Sequence, residues 1–118
     1  FGVDAGAVNV PSATDGKENS FFGHSAGKAN TTGEDNTFIG ANAGTSNTTG
    51  DRNTFVGNTA GDSNSTGTLN VFIGDSTGYS NTDGYWNTFM GASAGYSNTK
   101  GAGNKGSPDN PSRFEIRQ

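Results

Sequence analysis

"NTFIGANAGTSNTTGDR", residues 36–52, is followed without a gap by "NTFVGNTAGDSNSTGTL", residues 53–69. The two stretches share Asn, Phe and Gly at the same offsets and differ mainly in the residues that follow each Gly. The spacing extends outward in both directions. Asn19, Asn36, Asn53, Asn70, Asn87 and Asn104 are each 17 residues apart. A second column runs Asn30, Asn47, Asn64, Asn81 and Asn98, and three Gly columns contain Gly23, Gly27 and Gly16 with their successors. The consensus unit is N-T-F-I-G-x-x-A-G-x-x-N-T-T-G-x-x.

The opening "FGVDAGAVN" is the same unit set 21 residues ahead, with Gly2, Gly6 and Asn9 matching Gly23, Gly27 and Asn30. Four extra residues between Asn9 and Gly16 account for the longer offset, an insertion that a stacked coil accommodates at a corner. The lattice takes in 18 of the 20 glycines, which a flexible spacer would scatter. Ordered structure is therefore expected although only 28% of the 118 residues are hydrophobic and 15% are charged. Disorder also favours high net charge and few aromatics. This chain carries −4 with eight Phe, three Tyr and one Trp.

Gly, Asn and Thr at this density oppose helix, and the period is far below that of helical solenoids or propellers. Asn and Gly reach left-handed backbone conformations cheaply, so their columns read as regular corners. The only strand-like piece per unit is short, as in "NTFIG". The pattern predicts an all-β fold, a β-solenoid of about six 17-residue coils across residues 1–104. Successive coils would hydrogen-bond at ~4.8 Å. Stacked Asn36, Asn53, Asn70 and Asn87, and likewise Asn30, Asn47, Asn64 and Asn81, would form amide ladders, each side chain donating to one neighbour and accepting from the other. In "NTTG" the Asn would cap the corner and the Gly would supply a positive φ.

Adjacent strand residues point to opposite faces, so one of two apolar columns must face outward. Either Phe22, Ile39, Val56, Ile73 and Met90 or the neighbouring Phe column would form an exposed stripe of the kind that marks an interface. With few large apolar residues per coil to offset chain ordering, a homo-oligomer is expected, a parallel trimer with one apolar column at a common axis. The alternative is a wider single solenoid in which a bulge turns both columns inward.

"NTFIGANAGTSNTTGDRNTFVGNTAGDSNSTG" resembles the Gly/Asn-rich repeats of trimeric autotransporter adhesin heads. It is also similar to repeats of bacterial and phage tail-fibre-type proteins, often found upstream of a self-cleaving chaperone. The resemblance covers about residues 1–104. It implies a trimeric β-roll or β-helix forming a shaft or head at a cell or virion surface. Autotransporter heads use a somewhat shorter coil.

No chemistry of an enzyme stands out. His24 is the sole histidine, and its column continues as Ala41, Asn58, Asp75 and Ala92, a variable surface slot. The acids do not form a calcium-loop pattern, there is no Cys for a thiolate site, and no nucleophile is paired with a base. A non-enzyme without metal or cofactor is expected. The mild acidity argues against a nucleic-acid partner. No apolar run approaches the ~18 residues of a membrane span. The opening lacks the regions of a signal peptide and begins inside a repeat, which reads as a mature or excised piece.

The variable slots are where a lattice can display something. Tyr79 and Tyr96 should stack, with Tyr85 and Trp86 at a nearby corner, a candidate site for a host-surface glycan or protein. Lateral packing or covering of a coil end is the competing reading. Thr31, Thr48, Ser65, Thr82 and Thr99, beside Thr32, Thr49 and Thr66, raise ice binding as a lesser alternative, although ice-binding faces commonly use T-x-T. The N-x-S/T acceptors at Asn30, Asn47 and Asn64 follow from the coil itself.

After Asn104 the lattice stops. Residues 105–111 read as a linker. Residues 112–118 alternate like a half-buried strand, which would cap the last coil or pair with the first coil of another copy. The functional expectation is an extracellular structural or adhesive fibre segment at a cell or virion surface. A self-polymerising appendage subunit without a specific ligand is the alternative.

Overall fold

The computed structural model describes residues 2–8 and 16–106; the insertion and the 112–118 strand expectation lie outside them. Six short strands, β1 (Ser20–Phe22), β2 (Thr37–Ile39), β3 (Thr54–Val56), β4 (Val71–Ile73), β5 (Thr88–Met90) and β6 (Lys105–Gly106), form one parallel sheet in sequence order. Every partner lies 17 residues on, as in Phe38↔Phe55 and Phe55↔Phe72. The fold is a β-solenoid of about five turns between β1 and β6. The sheet reaches Gly106, two residues past the boundary drawn from the Asn column.

Backbone hydrogen bonds run chiefly from coil to coil and in both axial directions. Gly44 N–H donates forward to Ala60 O at 2.9 Å, and Gly57 N–H donates back to Ile39 O at 2.8 Å. This regularity requires equal length in the bonded segments of successive rungs, because one extra residue within them would shift the following donors off their acceptors. The four extra residues between Asn9 and Gly16 leave the first rung's bonds in place, as in Gly6 N–H to Ala26 O. Between strands the chain turns through consecutive tight bends, such as Ala43 N–H to Gly40 O and Asn47 N–H to Gly44 O. Gly44 holds φ +57°, and a Cβ there would lie 2.5 Å from the Phe38 ring. Glycine at this position therefore serves both the backbone conformation and the ring's seat.

The core is one ring wide. Phe38, Phe55, Phe72 and Phe89 are fully buried with Ala26, Ala43, Ala60 and Ala94. Consecutive rings stack at centroid separations of 4.8 to 5.3 Å from Phe38 to Phe89, and Phe38, Phe55 and Phe72 lie within about 6° of parallel. The rung spacing imposes this stacking. Where Ala gives way to Thr77, the hydroxyl donates to Gly91 O at 2.7 Å, which removes the cost of burying it. Phe22, Ile39, Val56, Ile73 and Met90 form the outward column. A wider solenoid with both columns inward is therefore not the solution adopted: three-residue strands without a bulge must alternate.

Phe55→Ala should destabilise the fold by about 3–5 kcal/mol, the usual cost of emptying a buried ring site. Val56→Ala, on the outward column, should cost less than about 1 kcal/mol in the isolated chain. Urea unfolding followed by circular dichroism measures both.

Candidate binding surfaces

The two Asn columns behave differently. In the first, Asn47 Nδ2 donates to Asn30 Oδ1 at 2.7 Å, Asn64 to Asn47 at 2.8 Å, Asn81 to Asn64 at 2.8 Å and Asn98 to Asn81 at 2.7 Å. This is the amide ladder expected from the repeat, with all dipoles pointing the same way along the axis. Asn30, Asn47, Asn64 and Asn81 also close their own corners through Nδ2, as in Asn47 Nδ2 to Gly50 O at 3.0 Å.

The second column is chiefly a side-chain-to-backbone ladder. Asn36 Oδ1 accepts from Asn53 N–H at 3.0 Å, Asn53 Oδ1 from Asn70 N–H and Asn70 Oδ1 from Asn87 N–H, each at 3.0 Å. Each Nδ2 instead reaches a Gly carbonyl 14 residues on, as in Asn36 to Gly50 O at 2.8 Å and Asn53 to Gly67 O at 2.8 Å. Amide-to-amide contacts recur only as secondary bonds, Asn70 to Asn53 at 3.2 Å and Asn104 to Asn87 at 3.0 Å. Gly50 O thus accepts from one Asn of each column, and the columns are knitted through it. Among the described residues, no buried side-chain nitrogen or oxygen lacks a partner.

The NTTG glycines do not supply a positive φ at Gly33, Gly50, Gly67 or Gly84. They are small because a Cβ at Gly33 would lie 2.5 Å from both Asn30 Oδ1 and Gly50 O. The left-handed residue comes two positions later: Asp35, Arg52, Leu69 and Trp86 have φ of 56° to 59°. Each turns its N–H to the coil before, as in Trp86 N–H to Thr68 O at 3.1 Å. For bulky residues this conformation costs ~1–2 kcal/mol.

On the outside, Phe22, Ile39, Ile73 and Met90 are 60%, 42%, 36% and 43% exposed. Ser20, Thr37, Thr54, Val71 and Thr88 share that face by strand alternation, so β1–β5 present uncharged side chains there. Tyr79 and Tyr96 stack with centroids 5.0 Å apart and planes 5° off parallel. Tyr85 and Trp86 meet edge to face at 5.5 Å, and Trp86 is 63% exposed. The aromatics form two pairs on different slots of the coil. Sequence reasoning placed them by column but had no means to find the strained backbone under Trp86.

Among the described residues no three His, Cys, Asp or Glu side chains gather as a metal site, and no helix is long and apolar enough to cross a membrane. The Thr rank raised for ice donates to the backbone of the next coil: Thr31, Thr48 and Thr82 Oγ1 bond to Thr48 O, Ser65 O and Thr99 O at 3.0, 3.1 and 3.2 Å. Ion pairs join neighbouring coils at Arg52–Asp35 and Lys100–Asp83, 3.7 and 3.9 Å, and are exposed. Such pairs contribute little.

Asp62 stands in a column between Thr45 and Tyr79, and burial raises its carboxyl above the usual Asp value. A raised folded pKa means that the folded state holds the proton more tightly. Asp62 should thus add stability at acid pH and lose that contribution as pH rises through its folded pKa. Asp62→Asn should raise the neutral-pH melting temperature and flatten the acid-side gain, as read by thermal melts from pH 3 to 8. Asn64→Ala should cost about 3 kcal/mol, since it strands polar groups on Asn47 and Asn81. Exposed Asn58→Ala should change stability by less than about 0.5 kcal/mol on the same denaturation assay. No protein family, curated protein or solved structure matches this chain.

Proposed function

We propose that this chain is an extracellular structural and adhesive fibre segment, a rigid rod at a cell or virion surface that holds variable side chains at fixed spacing for attachment. One observation carries the reading. The rod is built from repeated, internally satisfied rungs around a buried Phe column, while a second apolar column and Tyr85, Trp86 and Tyr96 are left exposed along the outside. An exposed apolar stripe of this length marks a surface that another molecule covers. The Phe22, Ile39, Val56, Ile73, Met90 column is the seam of a homo-oligomer in this reading, a parallel trimer. Across β1–β5 its face lacks the acids that give the chain its net charge of −4, and Lys105 in β6 is the one charged side chain in register with it among the described residues.

Trp86 supports the adhesive half. The left-handed conformation of this slot recurs from coil to coil, at Asp35, Arg52 and Leu69 as well, and at ~1–2 kcal/mol for a bulky residue it holds the large Trp86 ring at a fixed, exposed corner. Gly103 holds the same slot one coil on, at φ +66°, without that penalty. With Tyr85 against its edge, Trp86 offers a flat apolar plate suited to a sugar ring or a protein side chain.

Sedimentation equilibrium should give a three-copy mass for the full chain. An Ile39→Asp, Ile73→Asp double variant should shift the mass to one copy while keeping the β-sheet circular dichroism. A Trp86→Ala, Tyr96→Ala double variant should keep the mass and reduce binding at least ten-fold on a glycan array or host-cell surface assay. Retained trimers in the first variant would refute the seam. Unchanged binding in the second would refute the adhesive surface.

A further inference from the structure

The N-T-T-G corner carries a motif that the rod itself does not use. Asn30-Thr31-Thr32, Asn47-Thr48-Thr49 and Asn64-Ser65-Thr66 each have the N-x-S/T spacing of an acceptor for an N-linked oligosaccharide. Elsewhere in the chain the pattern is broken. The same corner reads Asn81-Thr82-Asp83 and Asn98-Thr99-Lys100 in the later coils, and Asn110 is followed by Pro111. A glycan of this kind is bulky and ordinarily sits on the surface.

The fold presents the wrong end of the motif. Thr32, Thr49 and Thr66 are exposed, whereas Asn30, Asn47 and Asn64 are 0% exposed. A side-chain amide has two N–H donors, and here both are engaged. Asn47 Nδ2 donates to Asn30 Oδ1 at 2.7 Å and to Gly50 O at 3.0 Å. Asn64 Nδ2 donates to Asn47 Oδ1 at 2.8 Å and to Gly67 O at 3.1 Å. Asn30 Nδ2 closes its corner on Gly33 O at 2.9 Å. The space around these amides is closed even to one added carbon: a Cβ at Gly33 would lie 2.5 Å from Asn30 Oδ1 and 3.0 Å from Asn47 Nδ2.

We infer that Asn30, Asn47 and Asn64 accept an oligosaccharide only in the unfolded chain, and that a glycan on any one of them excludes the solenoid. The donor is a lipid-linked oligosaccharyl diphosphate. The bond from the sugar C1 to the diphosphate oxygen breaks and a bond from C1 to Nδ2 forms. The amide gives up one proton, and the lipid diphosphate leaves. Asn47 or Asn64 then keeps one hydrogen for the two bonds it makes in the rod. The sugar ring takes the direction of the other, where an acceptor oxygen already stands 2.7 to 3.1 Å away. Ring and acceptor cannot share that place.

Each of these amides links two rungs, so one glycan opens the ladder at its own height and leaves a buried oxygen without its donor. Folding in turn closes the acceptor, because a transferase must reach Nδ2 to act on it. The two processes compete for the same three nitrogens, and whichever comes first prevents the other. The inference rests on the Asn ladder and not on the seam or on Trp86, so it and the adhesive reading can fail separately.

The full chain behind a secretion leader, made in cultured mammalian cells, tests this. Chains retained in the cell should carry glycans that N-glycosidase removes, and should be cut by trypsin at levels that the folded rod survives. Chains that reach the medium should carry none. A Thr32→Ala, Thr49→Ala, Thr66→Ala variant removes all three motifs at exposed positions and keeps every Asn, just as Asn81 and Asn98 keep the ladder beside Asp83 and Lys100. It should be secreted several-fold more abundantly than the parent, since unfolded chains are cleared by the cell, and with the circular dichroism of a β-sheet. Thr→Ser at the same three positions keeps the motifs and should behave as the parent. Blocking synthesis of the lipid-linked donor should raise the parent to the level of the Ala variant. A secreted, trypsin-resistant chain with a glycan on Asn30, Asn47 or Asn64 would overturn the inference. So would a parent chain that receives no glycan, or an Ala variant secreted no better than the parent.

Discussion

Register between rungs is the constraint on which everything else depends. A chain with so little apolar mass cannot rely on a large core, and it instead satisfies buried polar groups in columns that repeat with the coil. The condition is strict. Each buried Asn must meet a partner at the same height in the next rung, and a buried amide without one costs more than a hydrogen bond contributes. Equal rung length is what makes every Asn satisfiable at once.

The two Asn columns show how few atoms accomplish this. One binds side chain to side chain along the axis, and the other clamps backbone N–H groups. The carbonyls of Gly33, Gly50, Gly67 and Gly84 each collect a bond from both. This explains why the third glycine of the unit cannot grow a side chain although its φ is ordinary. The stacked Phe rings add apolar contact at the same spacing, and the left-handed glycine behind each ring provides its seat.

Such an architecture separates stability from display. Inward positions are nearly invariant along the chain because every rung makes the same contacts. Outward positions are free to differ, and they do: His24, Ala41, Asn58, Asp75 and Ala92 share one slot. The exposed apolar column and the aromatic pairs in the later coils are therefore choices that the fold does not demand. The strained backbone at Leu69 and Trp86 is a local cost carried on a scaffold whose remaining bonds over-determine it.

The repeat alone determined the coil length, the parallel stacking and the identity of every stacked column, because a commensurate period leaves no other way to satisfy Asn and Gly at fixed offsets. It also identified two apolar columns without saying which was the core. Tertiary structure decided that the Phe column turns inward. It also moved the positive φ from the NTTG glycines to Asp35, Arg52, Leu69 and Trp86, and it made one Asn column bond mainly to backbone. These outcomes depend on distances across neighbouring coils, where ring size, carbonyl position and the room beside a missing Cβ are set by atoms at least a full turn away in the chain.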